Sequence, residues 1–592
     1  MVAIIIILAS PQSSNYHLSL VGLSRLALEL RLQDTSPRLR RPSAAKAAPI
    51  RIRKRRPWLW GGNAVGLILT LGAALAFVWT MSSLPRLEGS VQAKGLEFPV
   101  AIVRDDHGIP RVRARSSHDA YFAMGWVHAQ DRLWQMEMQR RVGAGRLAEV
   151  VGEAGLNNDR FMRTLGLYRL AEASLPLLDE PTQAALGAYA DGVNAWIADN
   201  SLRLPLEFRP EPWKPADSLV WGRLMGLQMT ADWREEILRA KLGGKVPPRR
   251  LMELWPDTVE GPITLAADLS AKTLASIPSE AEPRLASNIM VLSGSRTTTG
   301  APLLANDPHL PFRAPSLWYL LAVEAPGLHL TGAMVPGVPF HLIGHNGRIA
   351  WGTTTTHADT VDLFLERLVG DDAYMTAKGP RPLVQRQETI AIKGGASEAL
   401  LIRETAHGPL LADISAGQKE GQAVAIRASA LEPVDRTAQA IYRLGHAVDW
   451  RGFVAALADF HAPVQNFAYA DTSGAIGFIT AGRVPLRNKG DGATPMPGWS
   501  GAGEWTGWIP FPRMPQTFNP KSGLIVNANN QVTGLQYPYR LTARWPDGYR
   551  AQRIENLLTD LPHAGMADLA TVQMDALSLP AQELKELFDQ PM

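Results

Sequence analysis

Residues 286–309 constrain this chain more than any other stretch, because they predict two adjacent short strands. The apolar run at 288–292 is typical of a buried strand, and residues 302–305 predict a second strand. Thr-Gly at 299–300 supplies the turn between them. Asn-Asp-Pro at 306–308 is a strong strand breaker, so we expect the second strand to end there.

Composition excludes several kinds of chemistry. With 592 residues, 46% of them hydrophobic and 20% charged, the chain can hold more than one domain and a large core. The net charge of +4 is small, and much of the basic excess lies in the first 56 residues. No nucleic-acid partner is therefore predicted. Because the chain has no Cys, disulfides, thiol catalysis and Cys-ligated metals are excluded.

Residues 58–81 form an uncharged, Leu/Ala/Gly/Val-rich run with Trp residues toward its ends. A bilayer requires only ~20 such residues, so this run predicts a single-pass transmembrane helix. Arg and Lys residues at 51–56 directly precede it, which predicts a cytoplasmic N-terminus and places everything after Pro85 outside. The expected location is thus the inner membrane, with the part after Pro85 on the periplasmic, extracytoplasmic side. The alternative is a cleaved signal peptide with a long n-region.

The rest of the chain divides into four regions that differ in composition and in hydrophobic pattern. Residues 1–57 predict a disordered basic N-terminus, and residues 86–245 are mostly helical in pattern. Residues 246–286, rich in Pro, Ala, Ser and Glu, are typical of a spacer. Residues 287–592 have mainly the pattern of strands. In the second region we predict helices over 167–174, 182–198 and 216–242.

Two motifs connect these regions to a known family. Ser287-Asn288 resembles the β-subunit start of the penicillin acylases, members of the N-terminal nucleophile (Ntn) hydrolase superfamily. Asn-Asp-Pro-His-Leu at 306–310 resembles the corresponding sequence of cephalosporin acylases and acyl-homoserine lactone acylases. The resemblance runs from about Val100 to the C-terminus. It implies an α+β fold, the Ntn-hydrolase αββα sandwich, with an α-subunit-like part over 86–245 and a β-subunit-like core over 287–592. Because family β-subunits run well past the matching region, the core is expected to be incomplete at its C-terminus.

The resemblance also implies that the precursor cuts itself between Ala286 and Ser287. A serine hydroxyl is a weak nucleophile without a base. A free α-amine has a pKa of ~7.7–8.0, so a useful fraction is unprotonated near neutrality. Cutting would therefore place nucleophile and base on one residue and leave α and β chains of the same precursor.

Four further catalytic residues are implied by their register with the family pattern. The backbone N–H of Thr355 and the side chain of Asn529 would form the oxyanion hole. Arg550 would stand near the α-amine and Asn529, and His309 would hydrogen-bond the nucleophile. Without the resemblance, His309 would be interpreted as a turn residue and Asn529 as a turn former.

The resemblance extends to the substrate pocket. Positions that are aromatic in penicillin G acylases correspond here to Leu310, Ile343 and His357, and a small Ser corresponds to Thr353. A pocket with fewer rings favours aliphatic acyl groups.

A structural calcium site is also implied, and Ca²⁺ takes 6–8 oxygen ligands. The matching positions are Glu236, Asp359, Val361 (through its carbonyl) and Asp362. The pattern is incomplete, because residues 540–544 contain no acid where the family has a later Asp, and Gly492 falls near a Pro ligand. The alternative is that the two Asp residues cap loops. No organic cofactor is predicted.

Together these expectations describe a self-processing acylase that cleaves linear amides of the penicillin or cephalosporin side-chain type or the N-acyl-homoserine lactone type. The alternative is an inactive, membrane-anchored fragment that binds acyl amides or a partner chain. An incomplete core could leave a sheet edge unpaired, so the isolated chain is expected to process poorly.

Overall fold

The structure is a computed structural model that describes residues 4–7, 57–201, 204, 207, 209–230, 233–243, 245–255, 286–411, 421–542 and 544–589. The chain forms two compact units. One consists of Met1–Ala9 with Pro85–Met592, and the other of Ser10–Leu84. Helix α1 belongs to the second unit, and the remaining described elements belong to the first.

The helices of the described residues are α1 (Pro57–Ser83), α2 (Ser117–Ala144), α3 (Ala148–Val151), α4 (Leu156–Leu165), α5 (Leu167–Ser174), α6 (Glu180–Asp199), α7 (Pro215–Gln228), α8 (Trp233–Gly243), α9 (Pro248–Leu254), α10 (Thr437–His446), α11 (Trp450–Leu457), α12 (Tyr549–Thr559), α13 (Met566–Gln573) and α14 (Leu579–Phe588). The strands are β1 (Ile4–Ile7), β2 (Ala101–Arg104), β3 (Pro110–Arg113), β4 (Ala286–Leu292), β5 (Leu303–His309), β6 (Tyr319–Ala325), β7 (Leu328–Met334), β8 (Ile343–His345), β9 (Ile349–Thr355), β10 (Val361–Val369), β11 (Ala373–Thr376), β12 (Gly379–Pro382), β13 (Val384–Ile390), β14 (Glu398–Thr405), β15 (Gly408–Pro409), β16 (Gln422–Ala428), β17 (Gln465–Asp471), β18 (Ile476–Ala481), β19 (Pro485–Arg487), β20 (Met496–Pro497), β21 (Trp505–Trp508), β22 (Gln516–Phe518) and β23 (Leu524–Asn527).

The strand that begins at Ala286 lies at the centre of the fold. It belongs to a four-stranded sheet in the order β1-β5-β4-β23, in which all neighbours are antiparallel. Because successive side chains of a strand point to opposite faces, Ile289 and Val291 pack toward the second sheet while Met290 and Leu292 pack toward helices α12 and α13. Burial on both faces explains why the sequence is apolar without alternation.

The second sheet has nine strands in the order β2-β3-β6-β7-β8-β9-β17-β18-β22. Its other face packs against helices α2, α6, α10 and α11, through side chains such as Val127, Leu186, Leu330 and Phe453. The layers therefore run helix, sheet, sheet, helix. The predicted α+β class is confirmed, and the strand that carries Ser287 lies between the second sheet and helices α12 and α13.

The prediction that strand β5 ends before Asn306 is wrong. The strand continues through Asn306, Asp307 and Pro308 to His309. The Asn306 side chain accepts a hydrogen bond from Thr353 N (2.9 Å) and donates one to Thr353 O (3.1 Å), so this residue joins β5 to β9. An inter-sheet contact of this kind overrides the local tendency of Asn to form turns.

The single helix predicted over 216–242 is two helices, α7 and α8. Thr230 lies between them and donates a hydrogen bond from its hydroxyl to Ala358 O (3.0 Å). This contact fixes the chain between the helices against the loop that precedes β10. A long-range contact of one hydroxyl group could not be inferred from helical periodicity.

The segment predicted to span the membrane, 58–81, lies within helix α1. No helix in the described part of the chain combines the length and apolar character that crossing a membrane requires. The anchor and the periplasmic location stay predictions. The tail predicted over 1–57 and the spacer predicted over 246–286 lie mostly outside the described residues.

Strand β1 covers one edge of the sheet that contains the nucleophile strand. Ile4–Ile7 runs antiparallel to β5, with Ile4 opposite Asn306 and Ile7 opposite Leu303. Within the described residues, the edge strand next to the nucleophile strand thus has a hydrogen-bonded neighbour. The reason given above for poor processing does not apply to this edge.

A buried histidine lies in a separate part of the fold, near strand β10. His407 Nδ1 is 2.6 Å from Glu366 Oε1, its Nε2 is 2.8 Å from Glu504 Oε1, and its ring stacks on Phe364. Burial opposes protonation of this ring, but the two carboxylates outweigh burial and raise the pKa of His407 to about 9.

The two contacts of His407 with carboxylates predict that the free energy of unfolding of the protein decreases in alkaline solution. The folded pKa of His407 lies above the ~6.5 of an unfolded chain, so its stabilisation is complete below pH ~6.5 and is lost as pH rises through about 9. We expect His407→Gln to be less stable than wild type by roughly 2–3 kcal/mol at pH ~6.5, and the difference to shrink toward pH ~9.5. Thermal unfolding across this range measures it. His446 is exposed, so His446→Gln is the control variant. If the difference in stability between His407→Gln and wild type stayed constant across this pH range, the raised pKa of His407 would be contradicted.

Candidate active site

Ser287 is the second residue of β4 and is buried, with 5% of its surface exposed. It lies opposite Pro308 of β5, and two residues further along Ile289 pairs with Asn527 of β23. Pairing on both sides of the strand fixes the backbone at Ser287. The serine therefore has little freedom beyond rotation of its own side chain.

Two N–H donors point at the Ser287 hydroxyl oxygen from separate segments of the chain. Asn529 Nδ2 is 3.2 Å from Ser287 Oγ, and Thr355 N is 3.4 Å from it. Thr355 is the last residue of β9, and Asn529 follows the end of β23 by two residues. Two convergent donors of this kind can stabilise a negative oxygen that forms beside the hydroxyl.

The amide of Asn529 is oriented at both ends. Its Oδ1 accepts from Ser287 N (2.8 Å), and its Nδ2 also donates to Thr355 O (2.8 Å). Asn529 has φ of 65°, a left-handed conformation that Asn tolerates better than most residues. Its N–H donates to Asn527 Oδ1 (3.1 Å), which supports this conformation. A strained residue at a hydroxyl-binding position is typical of a functional site.

Arg550, the second residue of α12, joins the nucleophile strand to the Asn529 loop. It donates to Ser287 O (3.1 Å), to Asn288 Oδ1 (2.9 Å) and to Asn529 Oδ1 (3.0 Å). Burial lowers the pKa of Arg550, but a guanidinium remains charged in proteins. A fixed positive charge therefore lies close to the nitrogen of Ser287.

His309 lies beside the nucleophile, but its partners differ from those expected. Its Nε2 is 2.6 Å from Asp307 Oδ2 and 3.3 Å from Asn288 Nδ2, so these groups engage this ring nitrogen rather than Ser287 Oγ. Asp307 is fully buried and also accepts from Gln573 Nε2 (3.2 Å). The structure thus places the carboxylate of Asp307 opposite Asn288, and His309 opposite Ala286, so that both lie across from the immediate neighbours of Ser287 in β4.

The sequence interpretation missed several of these supporting residues, namely Asn288, Asn306, Asp307 and Asn527. Three of them were nevertheless within motifs that were recognised, at 287–288 and 306–310. Asn527 precedes Asn529 by two residues, and its Oδ1 also accepts from the Thr354 hydroxyl (2.6 Å). A run of polar residues that interrupts buried strands was the signal that could have identified them.

A cavity of about 150 Å³ opens beside Ser287 and is lined mainly by apolar side chains. Of the predicted substrate-binding residues, Leu310 and Thr353 line this cavity. Ile343 instead packs in the core between the sheets, and His357 follows β9 at a φ of 54°. Aromatic lining residues that the sequence did not indicate are Trp221, Trp318, Phe340, Phe460 and Phe467. The cavity suits an apolar group attached to a carbonyl at Ser287.

The predicted metal ligands lie in a different place, at the start of β10 and on α8. Asp359, Val361 and Asp362 are buried there, and Glu236 Oε2 accepts from Leu363 N (3.2 Å). Burial raises the pKa of Asp359 to about 7, although Arg487 opposes the change. Burial and the two Asp carboxylates raise the pKa of Glu236 well above its ordinary value.

Around Ser287, the arrangement is that of a hydrolase that stabilises an oxyanion with one main-chain donor and one amide donor. Comparison with known proteins agrees. The family model described as penicillin amidase matches residues 99–591. The chain belongs to the penicillin amidase family, whose members are hydrolases that act on amide bonds.

Individual relatives are similar over most of the chain. The penicillin acylase 2 proenzyme of Pseudomonas sp. (strain SE83) is 34% identical, over 85% of this chain and 70% of the relative. The acyl-homoserine lactone acylase QuiP of Pseudomonas aeruginosa is 33% identical, over 90% of this chain and 67% of the relative. A thermostable penicillin G acylase structure from Alcaligenes faecalis matches with a TM-score of 0.43 and 25% identity, over 48% of this chain and 51% of that one. The chain thus spans about two thirds of these curated relatives.

Proposed function

We propose that this chain is a self-processing N-terminal-serine amidohydrolase that removes acyl groups from linear amides. The observation that carries the proposal is the convergence on Ser287. Asn529 and Thr355 donate to its hydroxyl oxygen, while Asn529 Oδ1 accepts from its nitrogen. One side chain therefore binds both the atom that would attack and the atom that would become the base.

Self-processing would begin with attack of Ser287 Oγ on the carbonyl carbon of Ala286. The negative oxygen that forms would lie beside Oγ, where Asn529 Nδ2 and Thr355 N–H can stabilise it. Collapse would break the C–N bond and leave Ala286 as an ester on Oγ. Water would then hydrolyse this ester, which frees the hydroxyl and the α-amine of Ser287.

Substrate hydrolysis would use the same groups. The freed α-amine would keep Asn529 Oδ1 as its partner, and the nearby charge of Arg550 would favour its unprotonated form. This amine would take the proton of the Ser287 hydroxyl through a water molecule as Oγ attacks the amide carbonyl. The proton would pass to the leaving amine, and water would release the acid from the acyl-serine ester.

The substrates we propose are amides with an apolar acyl group, of the penicillin or cephalosporin side-chain type or the N-acyl-homoserine lactone type. The cavity beside Ser287 supports this class because its lining is mainly apolar. Its volume of about 150 Å³ is similar to that of engineered cavities that bind one benzene molecule. A straight acyl group of about six carbons, or the six-carbon ring of a phenylacetyl group, would fill it.

Acyl-chain length provides the test. Each buried CH₂ contributes ~0.8 kcal/mol, or about fourfold in kcat/KM. We therefore expect kcat/KM to rise by roughly 200-fold from acetyl to hexanoyl amides and to level off once the cavity is full. Release of free amine from a series of N-acyl-homoserine lactones and N-acyl amides measures this, with phenylacetyl amides included to separate the two substrate types.

Met225, on α7, lines the cavity, so Met225→Trp should lower the optimal chain length. Met574 is exposed, and Met574→Trp is the matched control. Absence of hydrolysis across the series would refute the proposed activity. Equal rates for all chain lengths would refute the role of the cavity.

A further inference from the structure

A buried arginine lies among the residues that the family resemblance implies as calcium ligands. Arg487, at the end of β19, has only 7% of its side chain exposed. Its Nε is 2.7 Å from Asp362 Oδ2, and one terminal nitrogen is 2.9 Å from Asp362 Oδ1. The same nitrogen is 3.2 Å from Asp359 O and 3.4 Å from Asp359 Oδ1. The guanidinium thus makes a two-pronged contact with one carboxylate and reaches the second.

Several of the oxygens that would coordinate a metal are already engaged. Both oxygens of Asp362 accept from Arg487, and Oδ2 also accepts from the Trp505 indole N–H. Glu236 Oε2 accepts from Leu363 N (3.2 Å). Calcium requires 6–8 oxygen ligands at 2.3–2.6 Å. A site whose oxygens face a guanidinium does not fit this requirement.

The surroundings make room for this arginine. Gly492 has φ of 74°, and a Cβ there would lie 2.5 Å from Asp362 Oδ1 and 2.7 Å from Arg487 Cζ. A side chain there would displace Asp362 or Arg487, and the positive φ favours glycine; the family pattern has a Pro ligand near this position. Residues 540–544, near which the pattern has a later Asp, contain no acid, and Arg540 in this stretch is 3.2 Å from Asp491 Oδ2.

We propose that Arg487 replaces the calcium ion of the family, so that this protein holds its α8–β10 junction together without a metal. The guanidinium supplies a permanent positive charge to Asp359 and Asp362, and its planar fork matches carboxylate geometry. Three features of this chain agree with this: a cation at 487, the absence of a side chain at 492, and the absence of an acid from 540–544.

The test is calcium binding by the full chain, with CaCl₂ as the only probe. For wild type we expect no saturable binding in equilibrium dialysis with radioactive calcium. We also expect its melting temperature to differ by less than about 1 °C between millimolar Ca²⁺ and EDTA. Binding of one Ca²⁺ per chain, or a clear loss of melting temperature in EDTA, would overturn the proposal.

Removal of the guanidinium should make the melting temperature depend on Ca²⁺, a dependence that we do not expect for wild type. Arg487→Gln leaves buried carboxylates without a cation, so its melting temperature should fall by roughly 5 °C, and Ca²⁺ should restore part of the loss. Arg443→Gln is the control, because Arg443 also contacts two carboxylates, at 2.9 and 2.8 Å, but elsewhere on the protein. If Arg487→Gln does not fold, Arg487→Lys is compared with wild type instead. Because this variant keeps the positive charge, Ca²⁺ should not change its melting temperature. Stabilisation of Arg487→Lys by Ca²⁺ would contradict the proposal.

Discussion

Ser287→Ala is expected to abolish both amide hydrolysis and cutting of the chain. The hydroxyl of Ser287 is the group toward which Asn529 and Thr355 direct their donors, so its removal leaves the site without an attacking atom. Loss of a nucleophile typically costs about 10⁶ in kcat. The fold should survive, because the buried hydroxyl is replaced by a smaller group in a strand that is paired on both sides.

Intact mass and amine release measure this prediction together. Any cut that wild type makes should lie between Ala286 and Ser287, and the variant should remain a single chain with no turnover. Ser295→Ala is the matched control, since Ser295 is an exposed serine just beyond the same strand whose hydroxyl lies 2.8 Å from that of Ser293. If the Ser287 variant still cuts itself and hydrolyses amides, another residue must be the nucleophile.

Asn529→Ala is expected to lower kcat by about 10²–10³ with a smaller effect on KM, because it removes one of two donors to the oxyanion. The loss should exceed that of an ordinary hydrogen bond, since Asn529 Oδ1 also orients the Ser287 nitrogen and contacts Arg550. Rates of acyl transfer at saturating substrate, followed by released amine, measure the effect. Asn529→Asp tests the same donor while keeping the shape of the side chain.

The φ of 65° at Asn529 requires a control for backbone strain. Asn519 has φ of 47° and lies in a separate loop, so Asn519→Ala introduces similar strain without touching Ser287. We expect this control to lose stability but to retain kcat. Equal losses of kcat in both variants would show that strain, rather than the missing donor, accounts for the result at Asn529.

Register with the family motifs predicted three of the residues that meet at Ser287. Thr355, Asn529 and Arg550 were inferred from register with a family pattern, and all three lie within hydrogen-bonding distance of Ser287 atoms. Register works here because each residue lies at the end of a regular element, so short motifs fix its position along the chain.

Long-range partners could not be predicted in this way. Arg487 and Asp362 are 125 positions apart, and no motif around either residue indicates that the other is its partner. Likewise, the pairing of Asp307 with His309 depends on Asn306 holding β5 straight, whereas local propensity favours a turn at these residues. The tetra-isoleucine strand β1 pairs with β5 across some three hundred residues, which periodicity does not reveal.

Strands β2 and β3 precede the proposed cut, yet β3 pairs with β6 on the other side of it. Scission before Ser287 would therefore leave two fragments that share one sheet and one core. Neither fragment has a complete hydrophobic interior of its own, because Val127 and Leu186 pack with Leu330 and Phe467. Before scission the covalent link makes their association intramolecular, whereas afterwards it depends on concentration. A matured molecule that unfolds would thus not refold readily, and its functional lifetime would be set by its rate of unfolding.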